Sequence, residues 1–563
     1  MCVPHFVLGR SIGGICPFFP PARKQLAAGG MPFNTKPVVS GRSFWARSEN
    51  PRWTGERRRD DLCGILFCPA DPSMKTPLLV GIDVGTTSVK ATLFDESGAA
   101  LRTFADPYPM KRPAPGYAEQ EPADWTNRVA AALAQLSDGL ADGAAAGVGL
   151  TSQVNTHVFV GEDGAPLMPA ITWQDGRAGV EAAELDAQVS LEERIGWWGA
   201  PLPIDASHPL ARALWLKRHH PDLWGRTRWL MAPKDYCILN LTGEATADPM
   251  TAFGLIDQSL AYVSRLLDLV PGIAERLPPL RSFTQSAGRI RSGLPLADTP
   301  MVTGAMDAWA GLIGTGALRD DDCMYLSGTS EIVGLVSSTR HPAAGVVAFP
   351  TCEGITLHAG PTQAGGASLA WLSNLTGRAP SELSALVAQS DPHQPTPLFL
   401  PHLQGERAPI WDIGARGAFI GLDGSMGPAD LTRAVFEGVA SSVRWLLEAL
   451  EASAGRPATS FSMAGGGAAS DPWCQIRADM LGRPIRRLKT LDAGVLGAAI
   501  LAGVGASCFS SIAEAADSLV VTDRLFEPDP SRRQRMDFLY GEYRALYAAL
   551  KPLNAARATF SAW

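Results

Sequence analysis

The sequence predicts an α/β protein built from two similar halves. Three observations support this prediction. The chain has 563 residues, more than one hydrophobic core normally serves, so two domains are expected. Strand-like and helix-like segments alternate from Met74 onward, which is typical of α/β architecture. A strand, a Gly-Thr turn and a second strand occur near residue 85 and again near residue 328, and this repetition indicates a duplicated fold with a cleft between the halves.

Composition excludes several classes of partner. Hydrophobic residues make up 46% of the chain and charged residues 19%, and the net charge is −7. Nucleic acids and anionic membranes require a basic surface, so neither is an expected partner. The most apolar stretch, residues 495–506, is too short to span a bilayer and contains three glycines; it predicts a buried helix. Small molecules are the expected ligands, and a homodimer is left open.

Cysteine and histidine usage indicates a reduced, cytoplasmic protein without a zinc site. Nine cysteines occur without a CxxC pair or a regular framework, which favours a reducing compartment. None of the nine histidines stands near cysteines at zinc-ligand spacing.

Residues 1–73 do not have the sequence of a domain. They combine many prolines and the basic cluster Arg57-Arg58-Arg59 with no sustained strand or helix period. We expect a disordered or mis-annotated extension with Met74 as the biological start. Mass spectrometry of the native N-terminus tests this expectation, and abundant peptides from residues 1–73 would contradict it.

The first strand–turn–strand pattern predicts a β-hairpin with an anion-binding turn. An apolar run ends in Asp83 and is followed by Gly85, Thr86 and Thr87 before alternation resumes around Lys90. Gly85 would allow backbone angles closed to other residues, so that amide groups converge on a phosphate. Asp83 is a hard oxygen ligand suited to the Mg²⁺ of a nucleotide. An ordinary hairpin with a solvated lysine is the alternative.

Polar side chains follow two buried strands in the first half. Gln153 and Asn155 come after the strand near residues 147–150, and Trp173 and Asp175 come after another strand. Because α/β sheets bind ligands at strand ends, these side chains are candidates for contact with a sugar, with the indole stacking on its face. A polar loop and a core tryptophan are the alternatives. Residues 257–280 are expected to be helical.

Asp307 ends an apolar strand just before a helix of small residues. It has two interpretations: an N-cap of that helix, or a general base in a dry cleft that accepts a proton from a substrate hydroxyl.

In the second half, Gly328 and Thr329 repeat the Gly-Thr turn, Gly366 stands before a helix, and residues 465–467 are three glycines between a strand and a helix. Glycines at such a place let the backbone approach a ligand closely.

Together these motifs resemble the FGGY family of carbohydrate kinases, from Met74 to the region of Leu550. The matching segments are residues 83–87, 233–236, 326–330, 417–422, 430–437, 465–471 and 492–497. The resemblance implies two ribonuclease-H-like domains of the actin, Hsp70 and hexokinase superfamily around an ATP and sugar cleft. A sugar-binding domain over 74–317 and a nucleotide-binding domain over 318–551 are expected.

The resemblance also implies roles for individual residues. Asp307 would be the catalytic base and Asp83 would hold Mg²⁺, directly or through water. Residues that would contact ATP or its phosphates are Gly85, Thr86, Thr87, Lys90, Gly328, Thr329, Ser330, Gly366, Gly466, Gly467 and Asp471. Residues that would contact the sugar are Gln153, Asn155, Trp173, Asp175, Asp235 and Asp307.

Within the family, residues 173–177 and 233–236 look most like the members that phosphorylate xylulose, which implies D-xylulose as the first choice of substrate. This chain departs from them at three positions. Asn155 stands where a histidine is usual, Ala308 where an amide side chain is common, and Arg212 where the first family signature has a lysine. One lost hydrogen bond to a buried hydroxyl shifts specificity strongly. Ribulose, fuculose, erythritol and glycerol therefore stay open.

Other classes of protein fit the sequence less well. An actin- or Hsp70-like ATP-driven binding protein would share the fold, but nothing resembles a peptide-binding domain. A non-catalytic sugar sensor is disfavoured because Asp83 and Asp307 are both present. A P-loop kinase is excluded by the absence of a Gly-x4-Gly-Lys-Ser/Thr stretch.

Overall fold

The computed structural model describes residues 77–341 and 343–558, so the predicted extension over 1–73 lies outside the described residues. The described residues form two seven-stranded sheets, three two-stranded sheets and their flanking helices. The strands are β1 Leu78–Val84, β2 Ser88–Phe94, β3 Ala100–Pro107, β4 Glu119–Gln120, β5 Ala145–Ser152, β6 Val158–Gly161, β7 Ala170–Ile171, β8 Thr227–Met231, β9 Ser286–Arg289, β10 Pro300–Val302, β11 Ala305–Met306, β12 Asp322–Ser327, β13 Glu331–Val336, β14 Val347–Ala348, β15 Leu357–Pro361, β16 Leu398–Leu400, β17 Ala418–Ile420, β18 Ser460–Ala464, β19 Ile485–Leu488 and β20 Thr522–Phe526.

The α-helices are α1 Pro122–Ser137, α2 Gly179–Asp186, α3 Leu191–Trp198, α4 Pro209–His219, α5 Pro221–Arg226, α6 Pro233–Thr242, α7 Ser264–Leu267, α8 Asp307–Thr315, α9 Gly366–Thr376, α10 Pro380–Gln389, α11 Pro428–Ala454, α12 Asp471–Leu481, α13 Ala493–Gly505, α14 Ile512–Leu519 and α15 Arg533–Ala558. Short 3₁₀ turns cover Ala274–Arg276, Gly466–Ala469 and Pro530–Arg532. Seven of the described α-helices have proline at N1 or N2, where the missing N–H would have no helical partner anyway: α1, α4, α5, α6, α10, α11 and α12.

The first sheet has the strand order β3-β2-β1-β5-β10-β9, with β11 also paired to β5. The predicted hairpin is confirmed: β1 and β2 are antiparallel, with Asp83 opposite Lys90. Strand β5 lies parallel to β1 and places Thr151 opposite Asp83. The polar residues that follow both strands therefore meet at one edge of the sheet.

The second sheet repeats this plan. Its order is β14-β15-β13-β12-β18-β19-β20. Strands β12 and β13 form the second predicted hairpin, and β18 lies parallel to β12. In each sheet an antiparallel hairpin is thus followed by a parallel neighbour, which confirms the predicted duplication.

Helices α8 and α13 pack against each other and contact both large sheets. One continuous cluster of buried side chains joins them to both sheets, including Leu79 of β1, Trp309 of α8, Met324 of β12 and Ile500 of α13. The outer faces of the two sheets are covered by other helices, such as α1 and α6 on the first and α11 and α12 on the second. The apolar run over residues 495–506 is a buried helix, as predicted.

Glycines allow α13 to approach its neighbours at backbone distance. A Cβ atom added to Gly81 would lie 1.9 Å from the carbonyl oxygen of Val495, and one at Gly149 would lie 2.0 Å from that of Ala498. A Cβ at Gly497 would lie 1.8 Å from the carbonyl oxygen of Ala310 in α8. No side chain fits at these positions, so α8, α13 and the first sheet form one tightly packed unit.

The expected helix over residues 257–280 is wrong. That region contains only α7, of four residues, and one 3₁₀ turn. Pro271, Gly272 and the pair at 278–279 interrupt any helical period, because proline removes a donor and clashes with the preceding turn.

Candidate active site

Unpartnered polar atoms mark the carboxyl ends of β1 and β5. Asp83 Oδ1, Thr151 Oγ1 and Gln153 Oε1 are buried, and none has a hydrogen-bond partner among the described residues. Buried polar atoms are rarely left unpaired, because the loss of hydration costs free energy. Three such oxygens at neighbouring strand ends indicate a place where a ligand supplies the missing partners.

The surroundings of Asp83 favour the protonated form of its carboxyl group. Burial, followed by the charge of Asp307, raises its pKa from 3.8 to about 7, although the nearby Lys90 lowers it. A further carboxylate, Asp492, adds to the increase. A bound cation or a cluster of donors would reverse this effect, because either stabilises the ionised form.

Asp307 lies in the first turn of α8, directly after β11. It is the N1 residue rather than the N-cap, which is Met306, so the N-cap interpretation does not hold. The N–H of Ala308 donates to Oδ1 at 2.7 Å. Burial raises the pKa of Asp307 to about 6, and no ion pair within the described chain opposes this. A carboxylate tuned to this range suits general base catalysis near neutral pH.

The first turn is held by side chains from elsewhere in the domain. The Gly85 N–H donates to the carbonyl of Ser88 at 3.1 Å, and the Tyr108 hydroxyl donates to the carbonyl of Gly85. Gln120 Nε2 donates to the carbonyl of Thr86 at 2.6 Å. The expectation that Gly85 adopts backbone angles closed to other residues is wrong: its φ is not positive.

Two hydroxyl residues of this turn have different surroundings. The Thr86 hydroxyl accepts a hydrogen bond from the indole N–H of Trp173 at 3.2 Å, so the predicted phosphate turn contacts the predicted sugar segment. Thr87 is exposed and its carbonyl accepts from the N–H of Tyr108. The hydroxyl of Thr87 thus faces solvent at the mouth of the site.

Lys90 is paired with a carboxylate from the other half of the chain. Its Nζ lies 2.5 Å from Oδ1 of Asp492, the residue just before α13, and both side chains are about half exposed. The lysine still adjoins Asp83, whose pKa its charge lowers. A phosphate that binds Lys90 would therefore compete with Asp492.

The second turn packs against the start of α9. The N–H groups of Gly366 and Ala367 donate to the carbonyls of Gly328 and Thr329 at 2.9 and 3.0 Å. The Gly328 N–H in turn donates to the carbonyl of Ser330 at 3.0 Å. A Cβ at Gly366 would lie 2.6 Å from the carbonyl oxygen of Gly328, so only glycine fits there. Gly328 and Thr329 remain exposed.

The three glycines after β18 have separate roles. Gly465 has φ +93° and, like Gly467, lies against Ser327 with no room for a Cβ atom. Gly466 is exposed and would meet nothing within 4 Å, which leaves its backbone accessible to a ligand. Asp471, whose contact with ATP stays a prediction, binds Arg487 and Arg524, each at 2.5 Å, and its side chain is 45% exposed. Its carboxylate is engaged within the protein.

The predicted sugar residues differ in their burial and in their contacts with the rest of the protein. Gln153 donates from Nε2 to Gln120 Oε1 at 2.8 Å and keeps Oε1 free. Trp173 is 39% exposed. Asn155 has a left-handed backbone with φ +55°, and its amide side chain binds no other described residue. These three side chains border the same strand ends as Asp83.

The structure places Asp175 and Asp235 differently from the expectation of direct sugar contact. Asp175 accepts from the N–H of Ala118 at 2.6 Å and from Arg177 Nη2 at 2.7 Å, and its side chain is fully buried. Asp235 is buried and pairs with Lys234 Nζ at 2.5 Å. Both carboxylates are buried and already bound by donors of the protein, which favours a structural role over direct sugar contact.

Three residues at the site had no predicted role. Thr151 directly follows the apolar run of β5, so its position at a strand end was a usable signal. Asp492 lies in a segment that resembles the family, but its partner Lys90 is 402 residues away. Gln120 links Gln153 to Thr86 and has no local sequence signature.

Two further properties bear on ligands. Among residues 77–341 and 343–558, no group of three or more His, Cys, Asp or Glu side chains is arranged to hold a metal ion. No helix within the same ranges combines the length and apolar character needed to cross a membrane.

The duplicated sheets, each with a Gly-Thr hairpin turn at the cleft, define the ribonuclease-H-like fold of the actin, Hsp70 and hexokinase superfamily, as predicted. This chain belongs to the FGGY family of carbohydrate kinases. The N-terminal domain of that family matches residues 78–314, and the C-terminal domain matches residues 323–506. The protein is therefore a phosphotransferase that acts on a carbohydrate hydroxyl with ATP as the donor.

Named relatives match nearly the whole described chain. A xylulose kinase of Escherichia coli is 30% identical over 492 residues, which cover 85% of this chain and 100% of the relative. A glycerol kinase of Citrifermentans bemidjiense is also 30% identical, over 84% of this chain and 98% of the relative. The solved structure of a xylulose kinase from Rhodospirillum rubrum is 28% identical and superposes with a TM-score of 0.75 over 85% of this chain and 100% of that one.

Proposed function

We propose that this carbohydrate kinase converts D-xylulose to D-xylulose 5-phosphate, with another ketose or a polyol such as ribulose, fuculose, erythritol or glycerol as the alternative. The similarity to xylulose kinases over most of the chain supports the first choice. The equally similar glycerol kinase supports the alternative. Asn155 and Ala308 are the chain's own departures at the sugar segments.

The main support for the proposal is the environment of the Asp307 carboxylate. This carboxylate is half-buried at the start of α8 and has no cationic partner in the described chain, and desolvation raises its pKa to about 6. It adjoins Asp83 closely enough to raise that residue's pKa. As a base, Asp307 would take the proton of the attacking hydroxyl while the enzyme holds that hydroxyl in line with the phosphoryl group.

The surroundings of Asp83 fit a Mg²⁺ ion. Its Oδ1 lacks a donor, and hard carboxylate oxygen is the ligand type that Mg²⁺ prefers. Such an ion usually binds one or two carboxylates together with phosphates and waters, so a three-residue metal cluster is not required. Bound there, Mg²⁺ would neutralise phosphate charge. Thr86, Thr87, Thr329 and the adjoining amides would orient the phosphates, with Lys90 adding a positive charge.

An ADP-release assay across ketoses, aldoses and polyols tests the proposal. D-xylulose is expected to stimulate ATP turnover most, because closure of the two halves expels the water that would otherwise accept the phosphoryl group. The assay should include D-ribulose and glycerol at matched concentrations. A larger kcat/KM for either one would replace D-xylulose as the substrate, and no stimulation by any compound would contradict the kinase proposal.

Asn155→His is expected to change sugar preference more than ATP binding. Histidine tolerates a left-handed backbone better than most residues, so the segment should keep its conformation. The imidazole adds a donor at the sugar and should raise kcat/KM for D-xylulose by about tenfold. The KM for ATP should stay within about twofold of wild type. An unchanged sugar profile would place Asn155 outside the pocket.

Two further properties are part of the proposal. We infer a cytoplasmic enzyme, because the five cysteines of the described chain, 237, 323, 352, 474 and 508, are all free thiols. A homodimer stays a prediction that sedimentation of the purified protein would test.

A further inference from the structure

We propose that Arg212 is a positioning residue for the sugar: its guanidinium fixes the two segments that border the substrate in one arrangement. The first segment, residues 153–157, follows β5, and the second, residues 171–175, begins at the last residue of β7. The inference rests on the proposed function, because that function makes these segments the sugar site.

Arg212 reaches both segments from α4. Nη1 donates to the carbonyl of Asn155 at 2.5 Å and to that of Ile171 at 2.9 Å. Nη2 donates to the carbonyl of Thr172 at 2.5 Å. A single planar group thus ties one residue of the first segment to two of the second.

The histidine of the first segment completes the arrangement. Nδ1 of His157 lies 2.8 Å from Arg212 Nη1 and, facing a permanent donor, must be the acceptor. The ring is therefore neutral, and burial together with the charge of Arg212 lowers the pKa of His157 well below its usual value. This histidine lies two positions beyond Asn155, but its engagement with Arg212 keeps it from replacing the histidine that relatives carry at 155.

The guanidinium has no carboxylate partner among the described residues. Arg212 is fully buried, and burial lowers its pKa to about 9. An unpaired buried charge is an unfavourable way to stabilise a core. A guanidinium nevertheless offers several donors in one rigid plane, which the single ammonium of a lysine cannot match. These contacts favour a positioning role over a purely structural one.

The two segments that Arg212 binds contain Asn155 and Trp173, the side chains that we expect to contact the sugar. The carbonyl of Asn155 is bound while its backbone adopts φ +55°, an uncommon conformation for a residue other than glycine. Trp173 directly follows Thr172 and donates its indole N–H to Thr86 of the phosphate turn. Loss of the guanidinium would release the amide and the indole together.

Arg212→Lys is compared with Arg194→Lys as the matched control. Arg194 is also a buried arginine of the first half, and it donates to the carbonyls of Val189 and Leu202 without contact to either segment. For Arg212→Lys we expect a rise of about tenfold or more in the KM for the best sugar, with the KM for ATP unchanged. Arg194→Lys should leave both constants near wild type.

Hydrogen–deuterium exchange gives a readout that does not depend on activity. The amides of His157 and Ile171 each bond to the other segment, and both should exchange at least about tenfold faster in Arg212→Lys but not in Arg194→Lys. Unchanged exchange, or a sugar KM that shifts equally in both variants, would overturn the inference. If wild-type enzyme phosphorylates no sugar, the proposed function fails while the exchange result still decides whether Arg212 fixes the segments.

A second variant covers the case in which Arg212→Lys does not fold. His157→Leu removes one of the four acceptors and keeps the three carbonyl contacts. A rise of about two- to threefold in the sugar KM, without a change for ATP, would support the inference. A change in the ATP constant alone would contradict it.

Discussion

Asp307→Asn is expected to abolish phosphoryl transfer while making the protein more stable. Loss of the general base should lower kcat by about 100- to 10,000-fold. Nucleotide affinity should change little, since Asp307 touches the hydroxyl rather than ATP in the proposed mechanism. Coupled ADP release and nucleotide titration measure the two quantities. Retention of more than about a tenth of wild-type turnover would contradict the base assignment.

The stability gain follows from the sign of the pKa shift. The pKa of Asp307 is raised from 3.8 to about 6, so the folded state binds this proton more tightly than the unfolded chain and the ionised group opposes folding above pH 6. At pH 8, Asp307→Asn should gain about 1–3 kcal/mol. The gain should shrink as pH falls from 7 towards 4, while wild-type activity declines below about pH 6. Asp142→Asn, at an exposed position, is the control and should alter neither property.

Gly497→Ala is expected to destabilise the protein strongly. The added Cβ would lie 1.8 Å from the carbonyl oxygen of Ala310 and 2.7 Å from its carbon. Both atoms belong to the backbone of α8, so no side chain can rotate away. A cost of about 3 kcal/mol or more follows, at the upper end for overpacked cores, and thermal unfolding should begin several degrees lower.

Gly541→Ala is the matched control for that substitution. Gly541 lies inside the long helix α15, and a Cβ there would meet nothing within 4 Å. Since glycine weakens a helix interior relative to alanine, this variant should gain about 1 kcal/mol. Equal melting temperatures for Gly497→Ala and Gly541→Ala would contradict this prediction, because they would mean that α8 and α13 pack less closely than the structure shows.

Elements with a strong local pattern were predictable from sequence. Both hairpins, the strand before Asp307 and the buried helix α13 follow from hydrophobic period and turn residues, which act over a few neighbours. The same rules failed over residues 257–280, because closely spaced prolines and glycine outweigh a weak helical period.

Pairings between distant residues could not be read from sequence. The Lys90–Asp492 ion pair joins residues 402 positions apart, and the ionic contacts of Asp471 with Arg487 and Arg524 depend on how β19 and β20 fold back on α12. A sequence shows that Asp175 or Asp471 is acidic, but only the assembled fold shows that other side chains of the protein already bind it. Gln153, Asn155 and Trp173 were predicted because strand ends are where ligands bind, and their contact with a sugar stays a prediction.

The position of α13 bears on how the chain could be divided. This helix lies between β19 and β20 of the second sheet in sequence, yet its carbonyls at Val495 and Ala498 lie against Gly81 and Gly149 of the first sheet. A fragment ending near residue 317 would lack the helix that covers one face of its own sheet, and would expose apolar strands to water. We therefore expect the two halves to be recovered in soluble form only when they are produced together, as complementing fragments that assemble around α13.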